Sequence, residues 1–338
     1  MHFAQKRKNL ETRARIFSVI RAYFAHEQFV EVDTNALQIT YGGDAHISGF
    51  VTDYQLPHGG AQKLYLHSSP EFACKKLLSA GMERIYSLAH VFRNNEGSSR
   101  HHPEFMLLEW YRTGAGYVEL MHDCMSLLRA ALKAAGADVF SFGDKRCSAD
   151  GFEVMSVQNA FLNFAKMDLL GTVDDPKKPS PQKLAARAKQ AGIHVAEDDT
   201  WDDIVLRILG EKIEPHLGIG KPCFLTDYPL SMAALARQSP DDPRVAERFE
   251  LYVCGIELAN AYVELTDAKI QRERLVEAQQ TKKTRHGGDL PIDEAFLKAL
   301  ETMPEVAGIA LGVDRLVMLA TGTQNIADVL WETVPGSV

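Results

Sequence analysis

The sequence predicts an α+β fold, a mostly antiparallel sheet flanked by helices. Three observations carry that expectation. Helix-patterned segments stand at both ends of the 338 residues. Strand pairs that read as antiparallel hairpins lie between them. The alternating strand–helix–strand rhythm of a parallel sheet does not occur.

The elements follow in order. Residues 7–27 place Leu10, Ile16, Phe17, Ile20 and Phe24 near one stripe, with Arg and Glu elsewhere, the pattern of an amphipathic helix. Phe29-Val-Glu-Val32 alternates like a short strand, and Leu64-Tyr-Leu66 is another candidate. The latter runs into a helix start, where Ser69 suits a cap, Pro70 the first helical position and Gly81 the stop. Arg84–Phe92 and Phe105–Tyr111 read as two strands of one hairpin, joined by the polar loop Asn94–His102. Residues 118–135 are helical and end at Gly136. Asp174-Asp-Pro-Lys-Lys-Pro-Ser-Pro181 reads as a linker, and residues 172–222 as a small helical insertion within a single domain spanning 1–338. Strand character returns from Arg248 to Leu265, followed by a charged surface helix over 267–285. Gly308-Ile-Ala-Leu-Gly-Val-Asp-Arg315 is a glycine-punctuated strand entering a helix over 314–320.

Composition excludes several classes. With 46% hydrophobic and 24% charged residues the chain has ample apolar surface to bury, so disorder over its whole length is excluded. No apolar run approaches the roughly 20 residues of a membrane span. The first residues lack the apolar core of a secretory signal. Asp and Glu number 45 against 37 Lys and Arg, a net charge of −8, which argues against a protein built to coat nucleic acid. The five cysteines are scattered without a CxxC pair, which points away from a disulfide framework or zinc ribbon and fits a reducing cytoplasm. No P-loop, dinucleotide fingerprint, zincin helix or serine-hydrolase elbow is present.

Four constellations carry chemistry. Phe92-Arg93-Asn94-Asn95-Glu96 through Arg100-His101-His102-Pro103-Glu104-Phe105 offers two arginines, two histidines and an aromatic that suit a polyphosphate. Composition alone fits a solvated hairpin loop better. Phe105, Glu109 and Tyr111 share parity in a strand, so a carboxylate flanked by aromatics faces one side, as a pocket for an amine would require; a sheet face at the solvent boundary is the equal alternative. Glu250, Glu257 and Glu264 recur at intervals of seven among apolar residues. Buried acids need a cation, and oxygen ligands suit magnesium; solvated strand edges are again the equal alternative. Alternation puts Asn260, Tyr262 and Glu264 on one face and Glu257 on the other, so one shared site requires a bulge near Ala259. In the last constellation, glycines allow close approach to the backbone and Arg315 stands near a helix N-terminus that favours an anion. Taken singly, that stretch reads better as a packed strand-to-helix junction.

In this order the four resemble the class II aminoacyl-tRNA synthetases, and the lysyl-tRNA synthetase branch in particular. Phe92-Arg93 through Phe105 looks like the second class motif, and Gly308 through Arg315 like the third. Phe29-Val-Glu-Val-Asp-Thr34 looks like the end of the first. The resemblance runs from about Asn9 to Leu330 and implies a layout without an anticodon-binding domain. That layout is similar to a subfamily of ligases that attach (R)-β-lysine to a lysine of translation elongation factor P. The runs Val245–Glu250, Gly255–Asn260, Glu264–Ala268 and Leu108–Arg112 are close to that subfamily, and Ala310 stands where lysyl-tRNA synthetases typically carry glycine.

The resemblance implies an ATP- and magnesium-dependent, cytoplasmic, homodimeric ligase acting on elongation factor P rather than tRNA. Arg93 would bind the α-phosphate. Arg315 would bind the distal phosphate and an adenine face, with Phe105 opposite. Arg100 and His101 or His102 would meet the outer phosphates. Asn94, Asn95, Leu258 and Gly312 complete the implied ATP site. Glu250 and Glu257 would hold magnesium. Ser69, Pro70, Glu71, Glu109, Tyr111, Asn260, Tyr262, Glu264 and Ala310 would line the amino-acid pocket. Departures are Asn35 for the proline that ends the first motif, Asn95 where an adenine-binding glutamate is usual with Glu96 beside it, and the absence of a Phe-Pro near Val329–Thr333. Two rival readings remain: a short lysyl-tRNA synthetase or free amino-acid ligase, and a catalytically dead synthetase-like regulator. Retention of Arg93, Arg315, Glu250 and Glu257 weighs against the second.

Overall fold

The structure is a computed structural model that describes residues 3–337. α1 (Phe3–His26) buries Leu10, Ile16, Ile20 and Phe24. The chain turns at Gln28, where φ is +62°. β1 (Val30–Glu31) is shorter than its sequence pattern, because the Phe29 N–H bonds back to the Phe24 carbonyl and closes the helix rather than entering the ladder. β2 (Leu37–Gln38), β3 (Phe50–Gln55) and β4 (Ala61–Leu66) form a small antiparallel sheet. α2 (Glu71–Ser79) follows, with Pro70 as its N-cap, one residue before the position the sequence favours. Ser69 still contributes, accepting the Glu71 N–H through its hydroxyl.

β5 (Arg84–Phe92) and β6 (Glu104–Thr113) pair antiparallel as the expected long-looped hairpin. α3 (Tyr117–Ala135) ends where Gly136 adopts a left-handed φ of +67°. A short hairpin, β7 (Phe140–Phe142) and β8 (Lys145–Cys147), leads to β9 (Glu153–Ser156). The helical stretch then runs from Val157 to His216 and includes α4 (Val157–Ala160), α5 (Pro181–Gln190) and α6 (Trp201–Ile208). Its Phe161, Leu184, Trp201 and Ile208 form a cluster that packs against Leu225 and Tyr252 of the main sheet.

The strand character over 248–265 belongs to two strands. β10 (Cys223–Pro229) pairs with β11 (Val245–Val253), which turns back into β12 (Ile256–Val263) through Cys254-Gly255, both at positive φ. Gly255 marks this turn in the sequence, whereas the positive φ at Cys254 leaves no mark there. α7 (Ala268–Thr281), α8 (Glu294–Leu300), β13 (Val306–Gly312) and α9 (Val313–Thr321) complete the chain. The main sheet has the order β1-β5-β6-β13-β12-β11-β10-β9 and is antiparallel except for its outer pairs β1–β5 and β9–β10.

Parity divides the sheet between core and cleft. Met106, Leu108 and Trp110 on β6, with Ala307, Ile309 and Leu311 on β13, join the core under α1, α3 and α9. Phe105, Leu107 and Glu109, with Ala310 and Gly312, face the opposite side, where a cleft opens. No helix of the described residues is long and apolar enough to cross a membrane.

Candidate active site

The cleft encloses about 970 Å³ between the sheet, α7 and the helical stretch. A bulge brings its third wall into line. Leu251 pairs with Ala259 but Tyr252 pairs with Glu257, so Leu258 is the extra residue. That is the break the alternation demanded, and it puts Glu257 on the same cavity as Asn260 and Tyr262.

One end is cationic. Arg93, Arg100, His101 and Arg315 converge there with Phe105. The Arg93 guanidinium lies 5.0 Å from the Phe105 ring centre, and its Nε is buried without a hydrogen-bond partner. Arg315 donates to the Glu257 carbonyl at 2.7 Å and to His101 Nε2 at 2.7 Å. The accepting Nε2 places the His101 proton on Nδ1, which meets Ser98 Oγ at 2.8 Å. Burial and then the Arg315 charge push the His101 pKa down to about 4, so the ring is neutral. Arg315 is presented at the first turn of α9 by Asp314, which is buried, pairs with Arg13 of α1 and accepts the Met106 N–H of β6 at 2.8 Å. Three separate elements therefore fix the arginine.

The other end is acidic. Glu109 is buried and accepts hydrogen bonds from the Ser69 hydroxyl at 2.5 Å and the Tyr111 hydroxyl at 2.9 Å. Burial and then the Glu71 carboxylate push its pKa up to about 8. Glu71, Ser69, Pro70, Asn260 and Tyr262 share the cavity wall. Ala310 pairs across the sheet with Glu109 on one side and Asn260 on the other, so its methyl lies between them on the cavity face. Gly308 is required for another reason: a Cβ there would come within 2.3 Å of Glu264 and 2.4 Å of Tyr111.

Several residues take places that differ from the sequence-based expectation. Tyr111 and Glu264 are buried one layer below the cavity surface, behind Glu109 and Glu71. Asn94 and Asn95 are off the cavity, because the Asn94 N–H is held by the Ser48 carbonyl and Asn95 turns the chain at φ +65°. That turn points Glu96 into the cleft, 3.9 Å from Arg93. His102 is 3% exposed, accepts the Val334 N–H at Nε2 and donates from Nδ1 to the Glu104 carbonyl, which leaves His101 as the histidine that meets Arg315 at the cationic end. Glu250 is already served by the Tyr228 and Tyr252 hydroxyls and by Arg248 at 2.6 Å.

Lys75 was not singled out by any pattern in the sequence. It is fully buried, with Nζ 2.5 Å from Glu71 and 2.7 Å from Glu264. A lysine in an amphipathic helix normally reads as surface, with Glu71 four residues back as an ordinary helix-face pair, and only Glu264, brought in from a distant strand end, marks it.

The family model for class II tRNA synthetases (D, K and N) matches residues 2–331. The chain is 39% identical to a Proteus mirabilis protein named elongation factor P–(R)-beta-lysine ligase, over 95% of this chain and 94% of that one. It is 38% identical to proteins of the same name from Enterobacter sp. and Salmonella typhi, over 96% of this chain and 95% of each.

Proposed function

The chain belongs to the class II tRNA synthetase family of the D, K and N type, among relatives named elongation factor P–(R)-beta-lysine ligase, and on that premise we propose that it adenylates (R)-β-lysine and transfers it to a lysine of elongation factor P. The observation that carries this reading is the polarity of the cleft, cationic at Arg93 and Arg315, acidic at Glu71 and Glu109, with the Ala310 methyl between the acidic wall and Asn260. A substrate bearing two ammonium groups and one carboxylate fits lengthwise, its ammoniums at the acids and its carboxylate toward ATP.

In the first step the substrate carboxylate attacks the α-phosphorus of ATP and pyrophosphate leaves. Arg93 and Arg315 stabilise the charge on the phosphates. In the second step a lysine amine of the acceptor attacks the acyl carbon of the mixed anhydride. AMP leaves, and the amine proton passes to substrate phosphate or water. No protein nucleophile is needed. Glu96 takes the place at the adenine end that Asn95 vacates. Magnesium suits the donor set: Glu257 and Glu250 offer oxygen only, and burial together with the Glu250 carboxylate raises the Glu257 pKa, an excess negative charge that a cation offsets. Magnesium of this kind would be held by one or two carboxylates plus phosphates and water. Bound there, it would neutralise charge on the leaving pyrophosphate.

The same reading makes the chain one catalytic unit with a helical insertion, working in the cytoplasm as a homodimer. The dimer is supported by the hairpin of β3 and β4, where Val51 is 58% and Tyr54 45% exposed. A hairpin open along β3 on both faces has little to stabilise it alone, and a second copy would cover it.

The test supplies labelled (R)-β-lysine, ATP, and either elongation factor P or bulk tRNA. Label is expected on the protein and not on tRNA. Efficient charging of tRNA with no protein label would instead support a short lysyl-tRNA synthetase.

Ala310 gives a separate expectation. In Ala310→Gly the lost methyl widens the wall beside the substrate's α-carbon, where α-lysine carries its amino group and β-lysine carries none. Activation of α-lysine relative to (R)-β-lysine is expected to rise about tenfold, the scale of one methyl in a tight pocket. ATP–pyrophosphate exchange with each isomer measures it, and an unchanged ratio would mean that Ala310 only fills space.

A further inference from the structure

Lys75 lies on α2 with no exposed side-chain surface, and its ammonium meets Glu71 of its own helix and Glu264 just beyond β12. The Phe296 ring of α8 closes the remaining side, 5.8 Å from Nζ to ring centre. Glu109, the other acid of the amino-acid end, is met by the Ser69 and Tyr111 hydroxyls instead of a base. We infer that Lys75 is a positioning residue of the amino-acid pocket, which ties Glu71 to Glu264 so that the Glu71 carboxylate is held toward the cleft and one of three clustered negative charges is cancelled from behind.

The charge arithmetic explains the substrate class. A bound diammonium substrate favours the ionised forms of Glu109 and Glu264, which burial otherwise keeps partly protonated; with Glu71 they then carry three negative charges, and Lys75 cancels one. Two remain, which matches the two ammonium groups of a diamino acid. The inference rests on the proposed amino-acid activation but not on which lysine isomer is used.

The titratable groups facing this cluster are Glu71 and Cys74 of α2, Glu109 and Tyr111 of β6, and Tyr262 and Glu264 at the end of β12. Burial alone would lower the Lys75 pKa, but Glu264 and Glu71 outweigh it and raise it, so the lysine stays charged across the working range. Without it, Glu71 and Glu264 face each other across a dry gap. Glu264, which burial and the Glu71 charge already push up and Lys75 holds down, would then retain a proton, and a substrate ammonium would have to displace it. The sign follows: affinity for the diamine falls most at low pH, where the proton is held, and recovers as pH rises through the raised carboxylate pKa.

The experiment is ATP–pyrophosphate exchange from about pH 6.5 to 9 on wild type, Lys75→Met, Lys75→Arg and the double variant Lys75→Met/Glu264→Gln, with KM measured separately for amino acid and ATP. Lys75→Met should raise the amino-acid KM about 30-fold near neutral pH and under about fivefold near pH 9, with the ATP KM within about twofold of wild type. Lys75→Arg keeps the charge and should keep the wild-type pH profile. The double variant restores the charge balance and should lose the added pH dependence even if its KM stays high. Equal losses for ATP and amino acid, or a pH-independent loss, would overturn the inference and make Lys75 a fold-stabilising residue. If Lys75→Met does not fold, the double variant decides: an inherited steep pH dependence would overturn the charge argument. A wild type that activates only α-lysine would fail the isomer assignment above while leaving this test intact.

Discussion

Arg315→Ala is expected to lower ATP–pyrophosphate exchange about 100-fold or more, the scale of losing one preorganised charge contact in a transition state. The arginine is placed before substrate arrives. Its guanidinium is held by the Glu257 carbonyl and His101, and its helix is fixed by the buried Asp314, which pairs with Arg13 and accepts the Met106 N–H. Such a group needs no reorganisation as charge develops on the phosphates. Arg93→Ala should cost a similar factor, because its Nε is buried without a partner and only phosphate or the nearby Glu96 stands ready to meet the guanidinium. The readout is exchange rate at saturating amino acid, with circular dichroism to check that the fold is kept. Unchanged exchange in a folded Arg93→Ala variant would remove adenylation as the reaction.

The largest stability effect is expected at Asp123, far from the cleft. This α3 carboxylate is 3% exposed. It accepts the Tyr23 hydroxyl at 2.5 Å, the Trp110 indole N–H at 2.9 Å and two Arg112 donors at 2.8 and 2.7 Å. Three elements, α1, β6 and α3, are joined through one side chain. Asp123→Ala would leave Arg112 short of its counter-charge, the buried Trp110 N–H without an acceptor and the half-buried Tyr23 hydroxyl without its partner. Breaking a buried pair from one side costs about 3–5 kcal/mol, and that range is expected for Asp123→Ala in urea unfolding. Asp123→Asn should cost less, since the amide oxygen still accepts one of these bonds. A loss below about 1 kcal/mol for Asp123→Ala would show that Arg112 finds another partner, with Glu27 at 3.5 Å the nearest acid.

The hairpin of β5 and β6 was legible because its periodicity is local and its loop polar. The turn at Cys254-Gly255 was marked only by Gly255, because the positive φ at the cysteine is imposed by the strands on either side rather than by its own preference. The bulge at Leu258 was half legible: alternation showed that Glu257 could not share a face with Asn260 without one, but pairing with Leu251 and Tyr252 decided where it fell. Asn95 and Glu96 show the same limit one residue apart, since the turn and not the motif spacing decides which faces the cleft.

Residue type and short-range repeat sufficed for the α+β class, for the hairpin of β5 and β6 and for the shared face of Asn260 and Tyr262, while the roles expected of Arg93, Arg315 and the acids rested on the resemblance of whole motifs. Tertiary structure alone decided that Lys75 is a buried cation, that His102 serves the backbone while His101 faces Arg315, and that Asp123 and Asp314 carry networks joining distant elements. The physical reason is common to these cases. Whether a charged side chain is solvated or paired depends on groups brought to it by the fold, 189 residues away for Glu264 and Lys75 and 301 for Arg13 and Asp314, and no local pattern encodes that separation.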